Sequence, residues 1–348
     1  MATAYIGIDL HRTVIQICVL DERGERIAEE RIRYRTLQEG LAAVTFVRRF
    51  GPGCRVAVEA LGLNRWFVNA CLEAGLDVLV CDPRKLDLKK LGKKTDRRDA
   101  SEIARRLWLG DLDRIARTYY PSDAEYGRRK LLRVRHRLVQ MRQQTINQLR
   151  AMLNAYQLPA PRGVLYTRPS RERLASTRLP VPELQQAFEA LVAVLDALQG
   201  QVDALNRRVR RLPQEEADVA VLATELPGIG PQSAATLLAE LGDPKRFAGP
   251  RAVAAYAGLV PRVSQSADTA HYGRMTKPGN AELRWILSQW AVRLMKDDPE
   301  VRAWAERLRR RVHKNKARMA LARRLLVGVW VMLTRGEPFD LRRSLGQA

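Results

Sequence analysis

One charged segment organises the first third of the chain, and it reads Lys94-Thr95-Asp96-Arg97-Arg98-Asp99-Ala100. Asp96 and Asp99 lie three residues apart at the start of a predicted helix, so their side chains share one face. Such a carboxylate pair can hold a divalent cation, while the basic neighbours Lys94, Arg97 and Arg98 can hold the phosphates on which the cation acts. The alternative is a solvated helix start with alternating charges, in which Asp96 lies near the N-cap.

Strands and helices alternate on the N-terminal side of this segment. Short, apolar, β-branched runs predict the strands, and turn residues separate them. Periodic apolar positions closed by glycine predict the helices. The resulting order is three strands, helix, strand, helix, strand, helix, over residues 5–9, 14–20, 26–34, 37–50, 55–59, 64–74, 76–81 and 96–110. This is the element order of a ribonuclease H-like α/β domain, which predicts a first domain over residues 1–117.

Acidic residues occupy the ends of two of these strands. Asp9 closes the first strand and Glu59 closes the fourth, and these strands are neighbours in a ribonuclease H-like sheet. The last helix packs across such a sheet and would bring Asp96 and Asp99 to the same point. Four converging carboxylates repel one another unless metal neutralises them, and oxygen ligands suit Mg²⁺ or Mn²⁺. A two-metal site would serve phosphoryl transfer, although Asp9 or Glu59 taken singly is also compatible with a strand-end cap.

The composition of the chain limits its function classes. Of 348 residues 46% are hydrophobic, which is typical of a globular protein, and 61 Lys and Arg against 38 Asp and Glu give a formal net charge of +23. This excess indicates a polyanionic partner, most simply nucleic acid, with an acidic membrane surface as the alternative. The apolar run 325–333 is far shorter than the roughly 20 residues of a spanning helix. No secretory signal is visible, and the cysteines are predicted to be buried free thiols of a cytoplasmic protein: Cys18, Cys54, Cys71 and Cys81.

A long basic helix is predicted at 123–156, near the start of a middle domain over residues 118–215. Cations greatly outnumber acids along this helix, which favours contacts with nucleic acid. An ordinary solvated helix of a bundle is the alternative. The predicted contact residues are Arg128, Arg129 and Arg135.

A second long helix is predicted at 184–212, after a proline-rich connector over 157–182. Its apolar residues alternate at spacings of four and three over several heptads, which predicts a coiled coil. The partner is either the 123–156 helix of the same chain or a second subunit, and the spacing does not choose between them.

The C-terminal domain, residues 216–348, is predicted to be mainly helical. A glycine-rich turn between two apolar helices looks like a helix-hairpin-helix, and it reads Leu226-Pro227-Gly228-Ile229-Gly230-Pro231. Backbone N–H groups around Gly228 and Gly230 would then bind phosphates without reading bases. A plain corner between two helices is the alternative. A last basic helix, with a nucleic-acid-binding face, is predicted over 301–326.

A region without helical periodicity lies between these helices, over residues 258–280. It carries hydroxyl side chains among cations, so its serines are candidate phosphate ligands, and one of them is a candidate nucleophile. The surrounding basic residues are Arg262, His271, Arg274 and Lys277.

Four short motifs of the first domain carry a resemblance to a known family: Gly7-Ile8-Asp9-Leu10-His11, Val58-Glu59-Ala60, Cys81-Asp82-Pro83 and the segment 94–100. They resemble the DEDD transposases of bacterial insertion sequences, a family that includes Piv-type DNA invertases and bridge-RNA-guided recombinases. The N-terminal domain of this family resembles the RuvC resolvase. The resemblance implies that Asp9, Glu59, Asp96 and Asp99 are the four acids of the metal site.

The region 258–280 resembles the C-terminal domain of the same family. The nucleophilic serine of that family usually lies in a Gln-Ser-Gly context, and the match here is Gln265-Ser266, followed by Ala267 in place of glycine. The resemblance implies that Ser266 is the nucleophile, with Ser264 as the second candidate. Other residues that fit the family pattern are Gly273, Arg274, Lys277, Gly279, Asn280 and Arg284, and the predicted nucleic-acid contacts here are Arg262, Arg274, Lys277 and Arg284.

The family resemblance implies an insertion-sequence transposase or recombinase that cuts and rejoins double-stranded DNA through a covalent phosphoserine, assisted by Mg²⁺ or Mn²⁺. The resemblance further implies a structured noncoding guide RNA, and the number of strand breaks predicts a homo-oligomer, either a dimer or a tetramer. Two alternatives remain. A RuvC-like junction nuclease would hydrolyse with water and have no use for Ser266. In a non-catalytic nucleic-acid-binding protein the acids would be structural.

Overall fold

A computed structural model describes residues 4–60, 62–86, 95–115, 117–161, 163–266, 269–275 and 278–346, and for residues 84, 115, 262–266 and 269–275 it describes the backbone alone. Lys94 and Lys277 of the predicted site therefore lie outside the described residues. The chain forms two compact units, Met1–Tyr120 and Pro121–Ala348. The predicted division into three domains, over 1–117, 118–215 and 216–348, stays a prediction.

The first unit is built on a mixed sheet of five strands. Its strands are β1 (Tyr5–Leu10), β2 (Val14–Leu20), β3 (Arg26–Arg33), β4 (Arg55–Glu59) and β5 (Asp77–Cys81), in the order β3-β2-β1-β4-β5. The first three form an antiparallel meander, while β1, β4 and β5 run parallel. Parallel strands are covered on both faces and read as continuous apolar runs, and the side chains of Ile6, Ile8, Val56 and Val58 are fully buried. The predicted α/β character and the adjacency of the first and fourth strands are confirmed.

Six helices of the described residues accompany this sheet: α1 (Leu37–Gly40), α2 (Ala42–Arg48), α3 (Arg65–Glu73), α4 (Pro83–Leu86), α5 (Asp96–Trp108) and α6 (Asp111–Ile115). The prediction of one continuous helix over 37–50 was wrong, because the helix is interrupted at Leu41. The interruption follows Gly40, where a Cβ would lie 2.6 Å from the Trp66 ring. Glycine is a weak helix former, and here its missing side chain leaves room for the Trp66 ring.

Helix α5 crosses the sheet with its backbone in contact with β1. A Cβ on Gly7 would lie 2.2 Å from the Ala100 carbonyl oxygen and 2.3 Å from the Ala104 nitrogen. Only glycine permits this approach, and Ala100 and Ala104 are fully buried against the strand. The contact brings the first turn of α5 close to the end of β1.

The second unit begins with two long helices that pack along each other. They are α7 (Asp123–Ala155) and α9 (Pro182–Glu215), with the short helix α8 (Arg168–Ser176) in the connector between them. Buried apolar residues join them, including Ile146, Leu149, Phe188 and Leu195. The heptad pattern of α9 is therefore satisfied, at least in part, within the same chain. The coiled-coil classification stays a prediction, and α8 was not predicted.

The remainder of the second unit is mainly helical, as predicted. Its elements are α10 (Ala217–Glu225), α11 (Pro231–Leu241), α12 (Pro250–Tyr256), the antiparallel strands β6 (Pro261–Ser266) and β7 (Thr269–Met275), α13 (Ala281–Asp297), α14 (Pro299–Arg309), α15 (Lys314–Arg335) and α16 (Leu341–Leu345). The prediction of one basic helix over 301–326 was wrong, because α14 ends at Arg309 and a new helix begins at Lys314. His313 caps α15 by accepting a hydrogen bond from the Asn315 amide at 3.2 Å. Like charges at helical spacing repel one another in this stretch, which favours the break.

In the described residues, no helix combines the length and the apolar character that crossing a membrane requires. The apolar run of α15 instead faces the core, where Leu325, Leu326 and Val329 are fully buried. All four cysteines are buried and free, as predicted. Burial raises the pKa of the Cys71 and Cys81 thiols to about 12, so both stay protonated at neutral pH.

Candidate functional site

A compact group of possible metal ligands lies at the end of β1. His11 Nε2 lies 3.1 Å from Asp9 Oδ2 and 3.3 Å from Asp96 Oδ1. One ligand atom from each of these three residues lies within 4.8 Å of the others. Asp9 is only 4% exposed, whereas about a third of the Asp96 side chain is exposed. The group therefore has a buried side in the sheet and an open side toward solvent.

Local structure explains why Asp96 and Asp99 are presented here. Thr95 caps α5, because its hydroxyl accepts a hydrogen bond from the Arg98 amide at 3.3 Å. Asp96 and Asp99 occupy the first turn, where the partial positive charge of the helix N-terminus favours carboxylates. The contact of α5 with Gly7 then sets this turn beside Asp9.

The electrostatics of the group favour a cation. Burial raises the pKa of Asp9 above its ordinary value of 3.8, the nearby imidazole of His11 opposes the rise, and the charges of Asp96 and Asp99 add to it. Two carboxylates and an imidazole form a donor set that fits a divalent cation. A bound cation would remove the cost of holding Asp9 ionised next to two other acids.

Glu59 and Asp99 are near this group without belonging to it. Asp99 is 5% exposed and acts electrostatically on Asp9. Glu59 ends β4, next to β1, and the Asn64 side chain donates to the Glu59 carbonyl oxygen at 2.6 Å. Of the four predicted acids, the structure brings Asp9 and Asp96 together directly, with Asp99 beside them and Glu59 on the adjacent strand.

His11 is the ligand candidate that the sequence interpretation missed. It follows β1 at the turn into β2, two residues after Asp9, and its amide donates to the Val14 carbonyl oxygen at 2.8 Å. The signal was present in the motif Gly7-Ile8-Asp9-Leu10-His11, but an imidazole two residues after a strand-end acid has many other roles.

The basic residues of the opening segment have different surroundings. Arg97 Nε lies 2.7 Å from Glu29 Oε1, so this guanidinium is paired within the unit. Arg98 is exposed, and Arg31 Nη2 lies 3.7 Å from Asp96 Oδ2 at the open side of the ligand group. The predicted phosphate contacts of Arg97 and Arg98 stay predictions.

The predicted nucleophile lies in the second unit, on the hairpin of β6 and β7. Ser266 is the last residue of β6 and pairs with Thr269, and Ser264 pairs with His271. For Arg262 and Arg274 only the backbone is described, on the same two strands. The predicted nucleophile and the candidate ligand group therefore belong to different units of the chain.

The base of this hairpin is held by contacts between α12 and α13. The Asn280 amide donates to the Tyr256 carbonyl oxygen at 2.7 Å, and Arg284 Nη1 donates to the Ala257 carbonyl oxygen at 3.0 Å. A Cβ on Gly279 would lie 2.5 Å from the Gly258 nitrogen. Arg284, a predicted nucleic-acid contact, is thus engaged inside the unit.

The predicted contact residues of α7 are also engaged internally. Arg128 Nη2 lies 2.8 Å from Glu216 Oε2, forming an ion pair. Arg129 Nε donates to the Ala239 carbonyl oxygen at 2.8 Å, and Arg135 Nε donates to Asn206 Oδ1 at 2.8 Å. These guanidiniums join α7 to neighbouring helices, and their contact with nucleic acid stays a prediction.

The glycine-rich turn between α10 and α11 is a tight connection. Gly228 has a φ of 73°, a conformation that favours glycine, and Gly230 is the N-cap of α11. Trp290 Nε1 donates to the Pro227 carbonyl oxygen at 2.8 Å, which anchors the turn on α13. The helix-hairpin-helix assignment and its phosphate contacts stay predictions.

Comparison with known proteins places both units in the same group of transposases. The family model for DEDD transposases of the IS110 type, described as "Transposase", matches residues 6–158, and the model described as "Transposase IS116/IS110/IS902 family" matches residues 220–306. A probable family 20 transposase of Pseudomonas aeruginosa is 28% identical over 96% of this chain and 98% of its own length. The transposase for insertion sequence element IS1111A of Coxiella burnetii is 26% identical over 96% of this chain and 90% of its own. The transposase for IS1328 of Yersinia enterocolitica is 26% identical over 96% and 98%.

Proposed function

Because the chain belongs to the DEDD transposase family of insertion sequences, we propose that it cuts and rejoins DNA through a covalent intermediate on Ser266. The observation that carries this proposal is the convergence of Asp9, His11 and Asp96 at the end of β1. A ligand group of this kind suits phosphoryl transfer on DNA, in which bound cations stabilise the charge on phosphate oxygens. An enzyme acting on DNA also accounts for a chain with a net charge of +23.

The chain's own residues have distinct roles in this proposal. Asp9 and Asp96 would hold the cation with their carboxylates, and His11 would contribute Nε2 or orient the carboxylates by hydrogen bonding. Asp99 and Glu59 complete the acidic set that the family resemblance implies. A bound Mg²⁺ or Mn²⁺ supplies charge stabilisation at phosphate oxygens and at a displaced oxygen. Exposed cations such as Arg98 and Arg31 would bind phosphates of the DNA strand that flank the scissile one.

The proposed nucleophilic step exchanges one phosphodiester linkage for another, so the energy of the bond is conserved. The hydroxyl oxygen of Ser266 bonds to the scissile phosphorus, and the bond from phosphorus to the deoxyribose oxygen breaks. The proton lost by the hydroxyl is balanced by the proton that the displaced oxygen gains. Attack by a deoxyribose hydroxyl of another strand reverses the step and releases the serine, so rejoining needs no ATP.

Several finer features belong to the same proposal. The strand order of the first unit supports a ribonuclease H-like, RuvC-like domain, and the turn at Gly228 supports a helix-hairpin-helix. The packing of α7 on α9 supports a coiled-coil arm. A homo-oligomer and a structured guide RNA follow from the family resemblance, and sequencing of the RNA that copurifies with the protein would identify the guide.

Trapping a protein–DNA adduct tests the proposed chemistry. Purified protein is incubated with Mg²⁺ and a DNA duplex carrying the element end, quenched in detergent and mapped by peptide mass spectrometry. We expect the adduct on Ser266, its loss in Ser266→Ala, and its retention in the matched control Ser264→Ala. Strand cleavage by Ser266→Ala at the wild-type rate, without an adduct, would instead support the RuvC-like nuclease that uses water.

A further inference from the structure

Glu240, near the end of α11, is a buried carboxylate outside the proposed chemistry. It is 1% exposed. Arg133 Nε and Nη2 donate to its two oxygens at 2.6 and 2.7 Å, and Asn280 Nδ2 donates to Oε2 at 2.7 Å. A buried carboxylate is costly unless it is paired and fully hydrogen-bonded. The arrangement of these three side chains is therefore strongly specified.

The partners of Glu240 lie at both ends of the serine hairpin. Tyr256, in the last turn of α12, precedes the hairpin, and its hydroxyl donates to the Glu240 carbonyl oxygen at 3.0 Å. Asn280 follows the hairpin, and Nδ2 also lies 3.2 Å from the Tyr256 hydroxyl oxygen. Arg133 belongs to the long helix α7. Glu240 of α11 thus connects α7 to the residues that precede and follow the hairpin.

An anchor of this kind answers a physical need of the hairpin. A two-stranded hairpin alone is at best marginally stable in water, and β6 and β7 pair only with each other among the described strands. The orientation of the hairpin must therefore come from its ends. The close approach of Gly279 to Gly258 and the bond from the Asn280 amide to Tyr256 hold those ends together. The Glu240 group connects them to the helical core.

We propose that Glu240, Arg133 and Asn280 are positioning residues of the DNA-joining reaction, which hold the base of the hairpin so that Ser266 is presented in one orientation. The inference rests on the proposed function, since it takes Ser266 as the nucleophile. It also assigns Arg133, one of the many cations of a basic helix, to an ion pair within the protein. A displacement of the nucleophile by about 1 Å is enough to reduce a reaction rate by about 100-fold.

Asn280→Ser separates anchoring from helix capping. The serine hydroxyl can still cap α13, where Asn280 Oδ1 now accepts from the Leu283 amide at 3.0 Å, but it cannot span the distance to Glu240. The matched control is Asp298→Ser, which changes the N-cap of α14 in the same way. We expect amide hydrogen exchange in residues 261–275 to accelerate about tenfold in Asn280→Ser alone, with α9 unaffected in both variants.

The rate of adduct formation connects this anchor to the reaction. At saturating DNA we expect Asn280→Ser to form the Ser266 adduct about 10- to 100-fold more slowly. The DNA concentration that gives half the maximal rate should change by less than about threefold, because the variant removes no DNA contact. Asp298→Ser should match the wild type in both quantities.

Exchanging the hydrogen-bond donor and acceptor between positions 280 and 240 provides a partial rescue of adduct formation. Asn280→Asp places a second carboxylate against Glu240 and should slow adduct formation by at least about tenfold. In the double variant Asn280→Asp/Glu240→Gln, the amide introduced at position 240 can donate to the carboxylate introduced at position 280, and the net charge is that of the wild type. Arg133 Nη2, which donates to Oε2 in the wild type, then faces the introduced amide nitrogen, so we expect the rate to rise above that of Asn280→Asp without reaching that of the wild type.

Three results would contradict the anchor, the positioning role or the proposed function. Unchanged hydrogen exchange in Asn280→Ser would overturn the anchor. Faster exchange with an unchanged adduct rate would overturn the positioning role. A wild-type protein that forms no adduct while cleaving DNA would refute the proposed function itself, and the positioning role would fall with it.

Discussion

Asp9 is an ionisable side chain buried at the end of a strand, 4% exposed and beside two further carboxylates. Its partner His11 connects it to Asp96 across the sheet edge. In a metal-free protein this arrangement costs free energy, because the charged form of Asp9 has lost water and gained like-charged neighbours. At the scale of single residues, the site is therefore best tested through stability and its dependence on metal.

Asp9→Asn should separate the cost of the buried charge from the stabilisation by a bound cation. The folded protein holds the Asp9 proton more tightly than the unfolded chain, since the pKa is raised from 3.8. The stability from this group is thus present below the unfolded pKa and is lost as the pH rises through the folded pKa. Near neutral pH we expect metal-free Asp9→Asn to be at least as stable as the wild type in urea denaturation.

Added Mn²⁺ should make the wild type more stable than Asp9→Asn. At a concentration of about 100 times Kd, a cation that binds only the folded state stabilises it by about 2.7 kcal/mol, and we expect this gain in the wild type and its loss in Asp9→Asn. Asp77→Asn, which removes an exposed surface ion pair with Arg55, is the control and should keep the gain. A metal-dependent gain that survives in Asp9→Asn would place the cation elsewhere.

At the scale of elements, the crossing of α5 over β1 creates the site. Two carboxylates in the first turn of a helix acquire a function only because the helix backbone touches the strand that carries Asp9. Gly7 makes this contact possible, with Ala100 and Ala104 as the other half of the contact. The element order was predictable from the periodicity of residues 5–110, whereas the distance between α5 and β1 was not, because it depends on packing across the sheet.

Gly7→Ala should therefore disturb both fold and site. The added methyl group would meet the Ala100 carbonyl oxygen at 2.2 Å, which forces the helix outward. We expect a loss of about 1–3 kcal/mol in the free energy of unfolding, as for overpacked cores, and a weaker affinity for Mn²⁺ by calorimetry.

Gly53→Ala is the matched glycine control for that experiment. A Cβ there meets nothing within 4 Å, so stability and metal affinity should stay close to those of the wild type. Equal effects of the two substitutions would contradict the close crossing of α5 over β1.

At the scale of the whole molecule, the net charge of +23 is divided between structural and solvent-facing cations. Arg128, Arg129 and Arg135 of α7 hold neighbouring helices, and Arg133 pairs with Glu240. Arg137, on the same helix, is exposed and has no side-chain partner among the described residues. Net charge therefore overstates the number of cations that are free to meet DNA.

Salt dependence distinguishes these two kinds of arginine. If Arg137 meets a phosphate, Arg137→Gln should reduce the slope of log affinity against log salt for duplex DNA by about 0.9, measured by fluorescence anisotropy. Arg128→Gln should leave that slope unchanged and lower the free energy of unfolding by about 1 kcal/mol, since it removes an internal ion pair. A lower slope in Arg128→Gln would show that this guanidinium leaves Glu216 to bind DNA.

The sequence by itself determined the order of the five strands in the first unit, the acids at the strand ends and the family, because periodicity and strand-end chemistry are local properties of the chain. The tertiary structure alone decided which side chains meet. His11 joined Asp9 and Asp96, Arg133 was paired with Glu240, and the basic stretch 301–326 divided into two helices with a break after Arg309. The physical reason is that a buried charge needs a partner, and that partner can lie more than 100 residues away, as Glu240 does from Arg133. Which charged side chains are buried, and which partners they meet, thus depends on tertiary packing and not on the local sequence pattern.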